Sequence, residues 1–186
     1  MDTATKTANL ESGAGATRFE GHLQNLLGTD GLRYSLSSFA DARLLAVVFI
    51  SNGCPTVRVY EDRLTDIQLR YADQKVQLVA VNANNPYLSP GDAYPEMVKR
   101  AQDRGFGFPY LKDEGGLLAR TLGAVCTPHA FVFGQDRTLR YQGRVDDARD
   151  PARVTTSDLD QTLRALLAGQ ALTDPVTEPF GCSIVW

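Results

Sequence analysis

The order of hydrophobic and polar positions sets out a series of short elements. Leu44 to Ile50 is a continuous apolar run without alternation. A strand of that kind is covered on both faces, as at the centre of an α/β sheet. From Val57 to Tyr71 the apolar residues fall at Val57, Tyr60, Leu64, Ile67 and Tyr71, the stripe of an amphipathic helix. Val76 to Val81 is a second buried strand, so strand, helix and strand follow one another as a right-handed βαβ unit. Before this unit, Gly28-Thr29-Asp30-Gly31 predicts a hairpin turn between two short strands.

After it the pattern is more broken. Asn82 to Tyr94, rich in Asn, Pro and Gly, is expected as a long surface loop. Pro95 to Arg104 has a proline early and Gly105 just past its end, the asymmetry of a helix. A short strand is expected over Phe108 to Leu111, and a short helix over Gly115 to Leu122, stopped by Gly123. His129 to Phe133 and Thr138 to Gln142, joined by Gly134 to Arg137, form an antiparallel hairpin. Ser157 and Asp160 suggest a capping box for a helix over Leu159 to Leu167, ended by Gly169. Gln170 to Trp186 is an irregular tail. The order βαβ, helix, ββα requires a mixed sheet with helices on both faces.

Composition narrows the class of function. The 186 residues carry a net charge of -3, with 43% hydrophobic and 22% charged residues. That is an ordinary globular balance with no basic footprint for nucleic acid or anionic lipid. The longest apolar run is strand-sized, so neither a membrane nor a nucleic-acid partner is expected. Met1 to Thr17 is rich in Ala, Thr, Gly and Ser and has no apolar signal core, so it is read as a disordered leader on a cytoplasmic protein. Three cysteines, Cys54, Cys126 and Cys182, are too few and too odd for a disulfide framework. Reactive thiols, buried core thiols or a metal site remain.

Four segments carry a resemblance. These are Val48-Phe49-Ile50-Ser51-Asn52-Gly53-Cys54-Pro55-Thr56-Val57; Gly123-Ala124-Val125-Cys126-Thr127-Pro128 with the strand after it; Tyr141-Gln142-Gly143-Arg144-Val145-Asp146-Asp147-Ala148-Arg149; and the terminal Gly181-Cys182-Ser183-Ile184-Val185-Trp186. In register from about Phe19 to the end, they resemble the peroxiredoxin-like, AhpC/TSA-related redoxin proteins of the thioredoxin family. The resemblance implies an α/β thioredoxin-like fold with a central mixed β-sheet and helices on both faces, here with an N-terminal β-hairpin extension. It divides the chain into a leader (1–17), a redoxin domain (18–170) and a C-terminal tail docking on it (171–186). Two departures stand out. Val57 occupies the position three after Cys54, so there is no Cys-x-x-Cys, and Val47 stands where a peroxiredoxin carries proline. Ser51 matches the peroxiredoxin hydroxyl position.

The resemblance makes Cys54 the nucleophile, at a strand-to-helix turn where unpaired N–H groups and the helix dipole favour a thiolate. Asn52 is expected beside the sulfur or in the turn. Pro128 would be the cis-proline facing Cys54, with the Thr127 backbone offered to an extended substrate. Arg58 or Arg149 would add positive charge, and Asp146 and Asp147 would orient Arg149 or simply form a solvated turn. Cys182 on the tail and Cys126 are the possible resolving thiols; each could equally be packing. Cys54, Cys126 and His129 can be drawn as a soft-metal site, but their spacing matches no metal motif, and no cofactor or metal is expected. His22 is the other histidine.

The expected activity is thiol-dependent oxidoreduction, with peroxide favoured as substrate and a disulfide as the alternative. An external thiol would be the reductant, either thioredoxin-like or of low molecular weight. A non-catalytic binding module built on the cis-proline groove is the rival of another class.

Overall fold

The computed structural model describes residues 23–186. The leader 1–17 and His22 lie outside the described residues. The elements run β1 (Leu26–Gly28), β2 (Arg33–Tyr34), β3 (Leu44–Phe49), α1 (Pro55–Tyr71), β4 (Val76–Asn82), α2 (Tyr94–Arg104), β5 (Tyr110–Lys112), α3 (Leu117–Leu122), β6 (Cys126–Thr127), β7 (His129–Phe133), β8 (Leu139–Gly143), α4 (Asp158–Leu167) and β9 (Cys182–Ser183). Seven strands make one mixed sheet in the order β2-β1-β5-β4-β3-β7-β8. β3, β4 and β5 are parallel, whereas β7 and β8 return antiparallel on one side and the β1–β2 hairpin extends the other.

The lack of alternation in β3 has the expected cause. Leu44, Ala46 and Val48 face a core with Val57, Tyr60 and Leu64 of α1, Met97 of α2, and Leu159 and Leu163 of α4. Leu45, Val47 and Phe49 face a second core with Phe39, Leu118 and Ala119 of α3, and Phe131. Helices therefore cover both faces, and β3, central and fully buried, delivers Cys54 at its carboxyl end.

Two expectations are corrected. Asn82 to Tyr94 is not a surface loop throughout, because Asn82, Asn84 and Asp92 are buried. Ser157 is the N-cap of α4 but its side chain makes no capping bond. Asp160 instead pairs with Arg70, Tyr71 and Arg164, a stronger use of its charge. The tail is irregular over most of its length, as expected, yet it is tied to the sheet. It hydrogen-bonds along the outer edge of β8 through Gln142, Pro175 and Thr177, and then forms β9 against β6. Among the described residues no helix is long and apolar enough to cross a membrane.

Leu64 is wholly buried beneath the sheet. Leu64→Ala is expected to cost about 2–5 kcal/mol, read as a lower urea midpoint at unchanged slope.

Candidate active site

Cys54 is the N-cap of α1, and Pro55 starts the helix without spending an N–H. Cys54 is 2% exposed. It accepts the Val57 N–H at 3.5 Å, as a capping side chain does, and as a thiol it donates to the Thr127 carbonyl at 3.2 Å. The Thr127–Pro128 bond is cis, and this loop stands opposite the start of α1. The Cys182 sulfur lies 2.7 Å from that of Cys54.

The two thiols are unequal. Burial works against ionisation of Cys54, but hydrogen bonds from Cys182, the Thr127 side chain and the Val57 N–H outweigh it and hold its pKa below that of an ordinary thiol. For Cys182, burial acts upward, and donation to the Cys54 sulfur together with the Cys54 charge push the same way; the Thr56 N–H and Arg149 oppose them without reversing the shift. Of the two, Cys54 is the sulfur that ionises first and Cys182 the one that holds its proton longer.

Cys126 is separate from this pair. Its nearest partner is the Pro128 carbonyl at 3.9 Å, and burial pushes its pKa up to about 11. It reads as a core thiol.

Ser51 and Asn52 are not at the sulfur. The Ser51 hydroxyl donates to Asp92 and accepts from Gly53 N–H and Asn84. The Asn52 side chain donates to the Gly91 carbonyl and accepts the Tyr110 hydroxyl. Arg58 bonds the Asn52 carbonyl. Arg149 is exposed and makes no side-chain bond to Cys54; its charge is felt at Cys182. Asp146 does not orient it, because Asp146 holds Tyr60 and Arg63, and Asp147 binds Thr155. His129 packs on Phe131, bonds the Val125 N–H and is held to a pKa of about 4 by burial. Among the described residues no three His, Cys, Asp or Glu side chains gather to hold a metal.

The residue that organises this loop is Asp92, which the sequence pattern did not single out. It is 0% exposed and accepts five hydrogen bonds: from Asn52 N–H, Asn82, Ser51, Asn84 and Ser89, at 2.6 to 2.9 Å. These bonds hold its pKa low although burial opposes them. Lys112 lies beside it, donating to the Asn84 and Asp92 carbonyls at 2.6 and 3.1 Å. The one signal was Asn82-Ala83-Asn84-Asn85, polar residues ending a buried strand where sheets of this kind bind ligands.

The family model for Redoxin matches residues 11–163, and the chain belongs to that family. A hypothetical protein from Sinorhizobium meliloti 1021 is 34% identical, with 95% of this chain and 96% of that one covered, at a TM-score of 0.83. A putative thiol:disulfide interchange protein DsbE from Chlorobium tepidum is 21% identical over 82% and 99% of the two chains, TM-score 0.63. The bacterioferritin comigratory protein of Xanthomonas campestris, described for alkyl peroxide reduction, is 13% identical over 77% and 89%, TM-score 0.58. The last two likenesses show the shared thioredoxin-like fold. No curated protein matches the sequence.

Two measurements test the site. The alkylation rate of Cys54 against pH is expected to have its midpoint below the ~8.5 of a free thiol, and Cys182→Ala is expected to move it upward by removing a donor. Asp92→Asn is expected to lower stability at neutral pH by about 1–3 kcal/mol, because buried donors lose their anion. The folded pKa of Asp92 is depressed, so its contribution is full above the unfolded value near ~3.9 and is lost as pH falls through the folded value. The difference between wild type and Asp92→Asn in urea unfolding should therefore shrink below about pH 4.

Proposed function

We propose that this chain is a thiol-dependent oxidoreductase in which Cys54 is the nucleophile and Cys182 the resolving thiol, and that a peroxide is the oxidant. The observation that carries the reading is the 2.7 Å approach of two sulfurs with opposite pKa shifts at a helix N-terminus.

The Cys54 thiolate attacks one peroxide oxygen, the O–O bond breaks, and the leaving alkoxide takes a proton. Cys182, kept as a thiol, supplies that proton. Cys54 is now a sulfenic acid and Cys182 a thiolate. The thiolate attacks the Cys54 sulfur, hydroxide leaves and is protonated to water, and the internal disulfide forms. The sulfurs have less than about 1 Å to travel to the disulfide length. An external thiol then reduces the bond. Cys182 is the more exposed sulfur, and Cys54 the better leaving thiolate, so attack falls on Cys182. Reducing thiols of this kind belong to the cytoplasm, which fits the proposed setting.

A nucleophile that is buried and flanked by its own resolving thiol suits a small oxidant and removes the need for Cys-x-x-Cys. The disulfide-exchange alternative uses the same Cys54 attack on a sulfur instead of an oxygen. The test is peptide mapping of the reduced protein after near-stoichiometric hydrogen peroxide and rapid alkylation. A Cys54–Cys182 linkage is expected in wild type and in Cys126→Ser, and a trappable Cys54 sulfenic acid in Cys182→Ser. If Cys54 oxidises no faster than free cysteine, peroxide is not the substrate and disulfide exchange takes its place.

A further inference from the structure

Beside the sulfur pair, the segment after β8 is clamped to α1. The Tyr60 hydroxyl donates to the Asp146 carboxylate at 2.6 Å and lies 3.1 Å from the Ala148 carbonyl. The Arg63 guanidinium, 4.4 Å from the Tyr60 ring centre, donates to Asp146 and to the Ala148 and Arg149 carbonyls at 2.6, 2.9 and 2.6 Å. The main chain of Arg149 is thereby fixed, while its side chain stands exposed. That side chain borders a cleft of about 650 Å³, whose apolar lining is Val59, Ala148 and Pro151 and whose second cation is Arg153. A cleft of this size accommodates a small molecule.

The cleft lies one helical turn from the sulfurs. Val59 follows Thr56 by three positions on α1, so the two share a face. The Thr56 N–H is directed at the Cys182 sulfur, and Arg149 is near enough for its charge to act there. Cys182 is part exposed, whereas Cys54 is buried. The charged groups of the cleft are unequally committed. Asp147 accepts the Thr155 N–H and hydroxyl, and Asp150 accepts the Ala152 N–H. Among the described residues, neither the Arg149 nor the Arg153 guanidinium has a hydrogen-bond or ion-pair partner. Both carboxylates keep their charge, but their oxygens serve donors of their own loop. The donors left free are guanidinium N–H groups, whose geometry matches a carboxylate.

We propose that this cleft binds the reductant, and that the reductant is a small thiol carrying a carboxylate. This rests on the reading of Cys54 and Cys182 as the redox pair. Arg149 and Arg153 hold the carboxylate, Val59 and Pro151 cover the carbon chain, and the thiolate is left facing Cys182. It attacks the Cys182 sulfur, the Cys182–Cys54 bond breaks, and Cys54 leaves as a thiolate. A second molecule of the same thiol attacks the sulfur of the bound one. The mixed disulfide breaks, and Cys182 leaves as a thiolate and takes a proton. Two thiols thus give up two electrons as one small disulfide, and both cysteines are reduced. The two guanidinium groups favour an anionic thiol over a neutral one of the same shape, through an attraction that salt weakens.

The test uses the full-length chain with Cys126→Ser, oxidised to the Cys54–Cys182 disulfide with diamide so that it does not depend on a peroxide. Reduction by N-acetylcysteine and by N-acetylcysteine amide, which differ only in carboxylate against amide, is followed by acid quench, alkylation and intact mass. The readout is the ratio of the two rates, each taken per thiolate. An effect of Arg149 on Cys182 itself enters both rates and cancels. Arg149→Gln and Arg153→Gln are each expected to lower the ratio about threefold, and the two together about tenfold. Salt at about 0.5 M should lower it in wild type but not in the double variant. Peptide mapping at early times should find the mixed disulfide on Cys182. A ratio unchanged in the double variant and in salt, or a mixed disulfide on Cys54, overturns the cleft while leaving the paired thiols standing. A chain in which diamide forms no Cys54–Cys182 disulfide overturns both.

Discussion

A carboxylate with no exposed surface fixes the relation between Cys54 and the tail. Asp92 gathers donors from the loop after β3, from the end of β4 and from its own turn. An anion in that position is tolerable only because every lone pair is used. Asn84 gives this network its reach. Its amide nitrogen serves Asp92 and Ser51, while its oxygen accepts the Val185 N–H. The loop that presents Cys54 and the strand that presents Cys182 thus rest on the same buried charge, although they are far apart in the chain.

The chemistry of the two sulfurs follows from this placement and not from residue type. Cys54 sits where helix N–H groups and a neighbouring thiol can donate to it, and no side-chain cation bonds it. Its thiolate is stabilised by hydrogen bonds aimed in a largely water-free site, where such bonds count for more than in water. Cys182 receives the reverse treatment from the same contact, since what favours charge on one sulfur keeps the proton on the other. Cys126, nearby in sequence to the cis proline, has burial without donors, and its pKa is pushed up.

The tail is also part of the fold. Phe180 packs edge-on against Tyr60 on one face of the sheet, and Ile184 enters the core on the other. Between them the chain crosses the carboxyl end of the sheet, over the start of α1. A segment anchored on both faces holds Cys182 beside the buried Cys54 at low entropic cost.

Much of this protein was legible in its order of residues. Non-alternating strands, the stripe of α1, the turn at Gly28 to Gly31 and the glycine after α2 are local, and periodicity and backbone preference determine them. The place of Cys54 at the start of α1 was legible too, because a strand, a small polar turn and Cys-Pro before a helical stripe are contiguous. What the chain order could not decide was which distant groups meet. Ser51 and Asn52 looked like partners of sulfur and are partners of Asp92, an aspartate with no local mark. Arg149 matched a motif, makes no hydrogen bond to Cys54, and acts by its charge on Cys182 instead. Cys126 and Cys182 were equivalent candidates in sequence, and only the pairing of β9 with β6 separated them. Hydrogen bonds between residues dozens of positions apart depend on how the sheet brings strand ends together, and that is set by tertiary packing, not by any local pattern.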